Sequence, residues 1–288
     1  MTTILDGKAT AKQLNQQTKI NTAKFQDQYG IAPGLAVILV GDDQASRRYV
    51  RNKDRVATRL GINSVVKNLP SSTSQAELLD VIKDYNNDPT IHGILVQDPL
   101  PKDIDAKKIT RSISPAKDVD GFHPLNIGKL FLNDNTNYPV SCTPQGIMTL
   151  MGKYGIVLQG KKAVIIGRSN IVGKPLTALL INAGASVSVL NHFTKDISEY
   201  TKPADIIISS TGRVNTITGS DVKDGCVVID VGQNLSDQGH LVGDVDFDDV
   251  SKKAGFITPV PGGVGPMTIA TLMQQTVKMA NWSMQSGK

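Results

Sequence analysis

The stretch "IIGRSNIVGKPL", Ile165 to Leu176, decides the fold, because an apolar run ends there at Gly167 and a helical pattern follows. A strand that turns through glycine into a helix offers free backbone N–H groups and a positive helix end, where phosphate groups bind. The usual G-x-G-x-x-G order is not kept, since Ser169 replaces the middle glycine and Gly173 comes one place late. An ordinary βα turn therefore stays open as the alternative to a nucleotide-binding turn.

On both sides of this turn, short runs of Val, Ile and Leu alternate with helical patterns. Such runs predict parallel strands that are covered on both faces. The clearest are residues 35–40, 93–97, 163–167, 186–190, 205–210 and 226–231. Residues 74–87 predict a helix that begins with a capping box formed by Ser74 and Glu77. The sequence therefore predicts the α/β class.

Two segments rich in proline and glycine mark predicted domain boundaries. They are "PVSCTP" at 139–144 and "TPVPGGVGPMT" at 258–268, and a long helical pattern follows the second. One βαβ block lies between them. We predict that this block is a domain inserted into the first one, and that the last helix returns to the first domain.

Composition narrows the class of protein. The chain has 288 residues, of which 40% are hydrophobic and 20% charged, as is typical of globular proteins. The sequence shows no signal peptide and no run long enough to span a bilayer, and its two cysteines, far apart, suit a reducing cytoplasm. The net charge of +5 favours an anionic small molecule, and its scatter argues against nucleic acid.

We predict that the turn after Gly167 binds NADP rather than NAD. In an NAD site, a carboxylate at the end of the next strand binds the ribose hydroxyls. Here that strand end carries Asn191 and His192, and Asp196 lies several residues beyond. The Arg168 guanidinium matches a ribose phosphate in a forked contact. A solvated surface cation is the alternative interpretation of Arg168.

Residues 40–62 predict a turn and a helix with a candidate proton-transfer group. Tyr49 and Lys53 are four residues apart, so they share one helix face. Neighbouring like charges predict a lowered pKa for Lys53; they come from Arg47, Arg48, Arg51 and Arg55. Such a lysine serves as a general base or proton shuttle. A cationic helix face in water is the alternative interpretation.

Two further segments carry candidate binding groups. Gln97 ends a strand, where open α/β sheets bind ligands, so it is a candidate partner for a heterocycle; a simple strand stop is the alternative. Asp118, Asp120 and His123 have a spacing that suits a metal, but no second ligand cluster accompanies them, and we expect no metal. An aspartate that accepts hydrogen bonds from an amidine-like edge is the preferred interpretation.

Seven segments, taken together and in order, resemble one enzyme family. They are "GDDQASRRYVRNK", "GILVQDPLP", "KDVDGFHPLNIGKL", "CTPQG", "GRSNIVGKP", "VIDVGQN" and "TPVPGGVGPMT". On these segments the chain closely resembles the bifunctional methylenetetrahydrofolate dehydrogenase/cyclohydrolase family over nearly its full length.

The resemblance implies a fold, ligands and an assembly. Two α/β domains flank a cleft: residues 1–140 with 265–288 bind folate, and residues 141–264 form a Rossmann-like, doubly wound parallel sheet that binds NADP. The implied partners are a folate substrate and a second copy of the chain in a homodimer, with no nucleic acid and no membrane.

The resemblance also implies roles for individual residues. The implied catalytic residues are Lys53, Tyr49 and Gln97, which contact the substrate together with Asp120, Pro261 and Gly262. The implied cofactor-binding residues are Gly167, Arg168, Ser169, His192 and Gln233. Two positions depart from the family pattern, since Gln233 stands where isoleucine is common and Asp98 stands where leucine is usual.

The implied reaction has two steps. NADP oxidises 5,10-methylenetetrahydrofolate to the 5,10-methenyl compound, and hydrolysis then gives 10-formyltetrahydrofolate, with Lys53 moving protons in the second step. Two other functions remain open at this point. One is an NADP dehydrogenase of a small hydroxy or keto acid, such as a shikimate-type enzyme, and the other is a non-catalytic nucleotide sensor.

Overall fold

The structure, a computed structural model, describes residues 1–236 and 238–286, and it divides into two compact units. Of the described residues, 13–142 and 271–286 form the three-stranded unit, and 1–12, 143–236 and 238–270 form the six-stranded unit. The predicted α/β class with two domains is confirmed. The cleft between the domains and the boundaries at 140 and 264 stay predictions.

The strands and helices alternate along the chain. The strands are β1 (Thr3–Ile4), β2 (Gly34–Val40), β3 (Asn63–Leu69), β4 (Gly93–Val96), β5 (Lys162–Ile166), β6 (Ser186–Leu190), β7 (Ile206–Ser209), β8 (Val227–Asp230), β9 (Asn234–Leu235), β10 (Leu241–Val242) and β11 (Phe256–Ile257). The helices are α1 (Gly7–Tyr29), α2 (Gln44–Arg59), α3 (Gln75–Asn87), α4 (Ala106–Ser112), α5 (Pro124–Phe131), α6 (Cys142–Lys153), α7 (Gly173–Asn182), α8 (Ser198–Thr201), α9 (Phe247–Val250) and α10 (Val264–Ser286). Over the described ranges, no helix has both the length and the apolar character that a membrane crossing requires.

The three-stranded unit is built on the parallel sheet β3-β2-β4. All residues of β2 are buried, which explains its uninterrupted apolar sequence. The predicted capping box is confirmed, because Glu77 N donates to Ser74 Oγ at 3.2 Å and Ser74 N donates to the Glu77 carboxylate at 2.7 Å. Leu78 and Ile82 of α3 pack into the core of this sheet.

The six-stranded unit contains a parallel sheet in the order β1-β11-β8-β7-β5-β6. The chain passes from β5 to β6 on one side and returns to β7 on the other, so the order reverses between β5 and β7. Open sheets of this kind bind ligands at such a switch point, outside the carboxyl ends of the strands. The turn that begins at Gly167 follows β5 there.

Residues 1–12 belong to the six-stranded unit, whereas the sequence analysis assigned them to the first domain. The physical reason is strand pairing, since Thr3 pairs with Phe256 and Ile4 with Ile257 in parallel register. The Thr2 hydroxyl strengthens this attachment by donating to Ala254 O at 2.7 Å.

Candidate active site

Lys53 of α2 and Gln97 after β4 form a hydrogen-bonded pair. Lys53 Nζ donates to Gln97 Oε1 at 2.9 Å. The sheet holds the backbone of Gln97, whose N–H donates to Ile38 O at 2.9 Å. The side-chain Nε2 of Gln97 donates to Asp98 O at 2.7 Å. Because both ends of the amide are held, its oxygen faces the ammonium in one orientation.

Burial lowers the pKa of Lys53, and nearby acidic groups oppose this effect. The opposing groups, strongest first, are Asp120, Cys142 and Asp98. The prediction of a lowered pKa is confirmed, but its predicted cause was wrong. The four arginines named in the prediction are exposed, where water screens their charge, and Arg47 pairs with Asp42 instead.

Tyr49 lies one helical turn before Lys53, and its side chain is 43% exposed. Val50 and Val56 of the same helix are buried, so α2 is fixed against the unit by its apolar face. Tyr49 therefore presents part of its ring to solvent on a rigid helix, an arrangement that suits stacking on a flat ligand.

The two aspartates at 118 and 120 have different environments. Asp118 is buried, and its carboxylate accepts hydrogen bonds from His123 N at 2.8 Å and Asn126 Nδ2 at 2.9 Å, so it stabilises the start of α5. Burial raises the pKa of Asp120 to about 6, although Lys53 acts in the opposite direction. Within residues 1–236 and 238–286, no three His, Cys, Asp or Glu side chains form a group suited to a metal.

A small cavity of about 50 Å³ lies beside these groups. The carboxylate residues in its wall are Asp98, Asp118 and Asp120, and the rest of the wall is mostly apolar. A space of this size holds water but not a bicyclic ring. Asp98 is exposed as a residue, yet partial burial of its carboxylate raises its pKa, and Lys53 opposes this shift.

Two buried residues that were not predicted from the sequence support this site. The thiol of Cys142 donates to Val119 O at 3.5 Å, one residue before Asp120. Gln275 of α10 accepts from Val140 N at 3.0 Å and donates from Nε2 to Val140 O at 2.9 Å and to Val119 O. A glutamine inside an apolar helical pattern was the available signal, because a buried amide needs partners.

The turn after β5 leaves no room for side chains at two positions. Gly167 has a φ of +129°, and a Cβ there would lie 2.4 Å from Ser210 O. A Cβ at Gly173 would lie 2.1 Å from Gly167 O. Ser169 Oγ accepts from Val172 N at 3.1 Å, so this hydroxyl holds the turn that leads into α7. The result is a cradle of bare backbone at a helix N-terminus, which fits the pyrophosphate of a dinucleotide.

The end of β6 lies at the same edge of the sheet as this cradle, because Ile166 pairs with Leu190. His192 and Phe193 are exposed there, with ring centroids 3.8 Å apart. The carboxylate of Asp196 accepts from Ser198 N at 2.8 Å. Arg168 is exposed at the neighbouring turn, so a cation and two flat rings occupy this edge.

The remaining predicted residues follow β8 and β11, whose carboxyl ends lie at the same edge of the parallel sheet. Gln233 and Pro261 are exposed. Gly262 has a φ of +114°, and its carbonyl accepts from Lys8 N at 2.9 Å. The structure therefore brings the predicted cofactor residues to one edge, together with Pro261 and Gly262.

Two buried aspartates, both missed in the sequence analysis, organise this edge. Asp230 accepts from the backbone N–H groups of Gly232, Asp244 and Val245, each at 2.9 Å. Asp244 accepts from Ser209 Oγ, Thr211 N, Thr211 Oγ1, Arg213 N and Asn234 Nδ2. These bonds fix the loops after β7 and β8.

Models of one enzyme family match both parts of the chain. Residues 5–120 match the tetrahydrofolate dehydrogenase/cyclohydrolase catalytic domain, and residues 141–284 match its NAD(P)-binding domain. The chain belongs to the tetrahydrofolate dehydrogenase/cyclohydrolase family. The resemblance found in the sequence is thereby confirmed.

Relatives and solved structures agree with this assignment to the tetrahydrofolate dehydrogenase/cyclohydrolase family. The bifunctional protein FolD of Lactiplantibacillus plantarum is 58% identical over 283 residues, which cover 98% of this chain and 99% of that protein. The crystal structure of the bifunctional methylenetetrahydrofolate dehydrogenase/cyclohydrolase FolD from Campylobacter jejuni is 50% identical, with a TM-score of 0.96 and coverage of 98% and 99%. The FolD structure from Trypanosoma brucei, complexed with NADP cofactor and inhibitor, is 35% identical, with a TM-score of 0.94 and coverage of 99% of each chain.

Proposed function

We propose that this protein oxidises 5,10-methylenetetrahydrofolate with NADP and hydrolyses the 5,10-methenyl product to 10-formyltetrahydrofolate. The observation that carries the proposal is the Lys53–Gln97 pair at 2.9 Å, with Asp120 among the charges that act on Lys53, in a chain of this family. Family membership argues against the shikimate-type dehydrogenase and the nucleotide sensor.

In this proposal the three-stranded unit binds the folate. The Asp120 carboxylate accepts hydrogen bonds from the amidine-like edge of the pterin, and Tyr49 stacks on a ring. The exposed arginines of α2 attract the glutamate carboxylates of the folate. Backbone contacts with the substrate are also assigned to Pro261 and Gly262, which belong to the six-stranded unit.

The six-stranded unit binds NADP. The bare backbone at Gly167 and the start of α7 hold the pyrophosphate, and Arg168 forms a forked contact with the ribose phosphate. His192 and Gln233, at the same edge of the sheet, would contribute further contacts to NADP. NADP bound there would supply the acceptor for the hydride of the methylene carbon of the folate. Both units therefore contribute mainly by holding the reacting groups in position.

The hydrolytic step needs proton transfer by the protein. Water adds to the methenyl carbon, the bond from this carbon to N5 breaks, N5 gains a proton, and one proton leaves to solvent. Lys53 exchanges these protons, because burial lowers its pKa and brings its amine form closer to neutral pH. Gln97 keeps the Lys53 Nζ directed at the reacting carbon through the hydrogen bond at 2.9 Å.

A single mixing experiment tests the function. The protein is mixed with methylenetetrahydrofolate and NADP, and the absorbances of NADPH and methenyltetrahydrofolate are followed. We expect NADPH to appear and the methenyl compound to form and then decay. A shikimate-type enzyme would reduce NADP only with its own substrate, and a sensor would bind NADP without turnover.

We also propose that the enzyme works as a cytoplasmic homodimer. The low cysteine content suits a reducing cytoplasm, and the family resemblance implies the homodimer. Sedimentation equilibrium of the purified chain measures the mass in solution, and a monomer at micromolar concentration would contradict it.

A further inference from the structure

Asp98 is an exposed residue whose carboxylate side lines the small cavity beside Asp118 and Asp120, and the reaction described above does not use it. Its carbonyl accepts from Gln97 Nε2 at 2.7 Å and from Ser46 Oγ at 3.4 Å. Ser46 is buried in α2. These bonds tie the backbone of Asp98 to the helix that carries Lys53, so its position relative to the amine is fixed.

Of the three carboxylates that line the cavity, Asp98 and Asp120 differ from Asp118. Asp98, Asp118 and Asp120 all line the cavity of about 50 Å³. Two hydrogen bonds already compensate the charge of Asp118, from His123 N and Asn126 Nδ2. Asp98 and Asp120 remain as the two carboxylates that act electrostatically on Lys53 from this wall.

The titratable groups that act on the Lys53 amine come from several structural elements. Asp98 follows β4, Asp120 lies before α5, and the buried thiol of Cys142 begins α6. The arginines of α2 itself are exposed. Asp98 raises the pKa of Lys53 because it favours the ammonium, and it raises the pKa of Asp120 because it disfavours a second negative charge.

We propose that Asp98, which shares the cavity wall with Asp120 and is joined to Lys53 through Gln97, is a positioning residue for proton transfer whose charge sets the pH range of the hydrolytic step. The inference rests on the proposed cyclohydrolase activity. Without the charge at position 98, Lys53 and Asp120 both lose their protons at lower pH. Whether Lys53 or Asp120 controls a given limb of the pH profile, loss of the charge at position 98 therefore moves that limb to lower pH.

The test is the pH profile of methenyltetrahydrofolate hydrolysis for Asp98→Asn, measured from about pH 5 to about pH 9, a range that brackets the perturbed groups. We expect its midpoints to fall by about half a pH unit or more, and the shift to shrink in high salt. Asp98→Glu, which keeps the charge, should restore the midpoints toward the wild-type values. Asp103→Asn is the matched control, because Asp103 is an exposed aspartate of the same unit outside the cavity wall.

The outcomes separate this inference from the proposed function. A wild-type protein that does not hydrolyse methenyltetrahydrofolate would refute the proposed function itself. An active wild-type enzyme whose Asp98→Asn variant keeps the wild-type midpoints would overturn the inference alone. Where the variant is too slow to assay, the pH dependence of Lys53 labelling by an amine reagent, mapped by mass spectrometry, replaces it. A labelling midpoint at lower pH supports the role of Asp98, and an unchanged midpoint overturns it.

Discussion

Replacing Gly173 with alanine tests whether the cradle depends on close approach of two backbone segments. A Cβ at this position would lie 2.1 Å from Gly167 O and 3.0 Å from Arg168 Cα. Non-bonded atoms prefer about 3.5 Å, so the turn must move by about 1 Å. Overpacking of this kind costs about 1–3 kcal/mol of unfolding free energy. The same movement misaligns hydrogen bonds to a charged pyrophosphate, so we expect NADP affinity to fall about tenfold or more.

Gly152→Ala is the matched control for this experiment. Gly152 lies in α6 of the same unit, and an added Cβ would meet nothing within 4 Å. Helix propensity alone predicts a gain of up to about 1 kcal/mol and unchanged NADP binding. Urea unfolding measures the stabilities, and isothermal titration calorimetry measures the dissociation constants. A Gly173→Ala protein with wild-type stability and NADP affinity would refute the close-approach argument.

Other substitutions test the remaining roles. Lys53→Met should lower the cyclohydrolase rate by a factor of about 10²–10⁴ and the dehydrogenase rate less, because hydride transfer depends on positioning; separate assays that show equal retention would contradict the role. Arg168→Ala should raise the Michaelis constant for NADP about tenfold and leave that for NAD unchanged, whereas an unaltered NADP value would make Arg168 a plain surface cation. The Michaelis constant for folate should rise as pH falls through about 6, where Asp120 gains a proton, and Asp120→Asn should abolish this dependence. Gln275→Ala should lower the unfolding free energy in urea by about 2 kcal/mol, because Val140 loses its partners, and the exposed Gln16→Ala should have little effect.

The buried strands were predictable from sequence because both of their faces are covered. β2 is a continuous apolar run for this reason, and β5, β7 and β8 are apolar except for one terminal residue each, Lys162, Ser209 and Asp230. β3 was missed, since its sequence "NSVVKNL" lies at the edge of its sheet with every position at least partly exposed. β1 was missed because two residues carry no periodicity and their partner is far along the chain.

The candidate site was predictable where local spacing places groups together. Tyr49 and Lys53 share a helix face by periodicity, and the turn after Gly167 shows its glycines directly. The cause of the lowered pKa of Lys53 was not predictable, because burial and the acidic groups around it depend on tertiary packing. Gln275 was missed for the same reason, since its partner Val140 is 135 residues away in sequence.

The pairing of β1 with β11 matters when the six-stranded unit is expressed without the N-terminal residues. Thr2 and its acceptor Ala254 are separated by 252 positions, so the N-terminal strand emerges from the ribosome long before its neighbour is synthesised. A truncated product that starts at residue 143 would leave β11 with an open edge, and open edges recruit other chains into aggregates. Co-expression with a peptide spanning residues 1–12, or its fusion to the truncated product, should restore solubility.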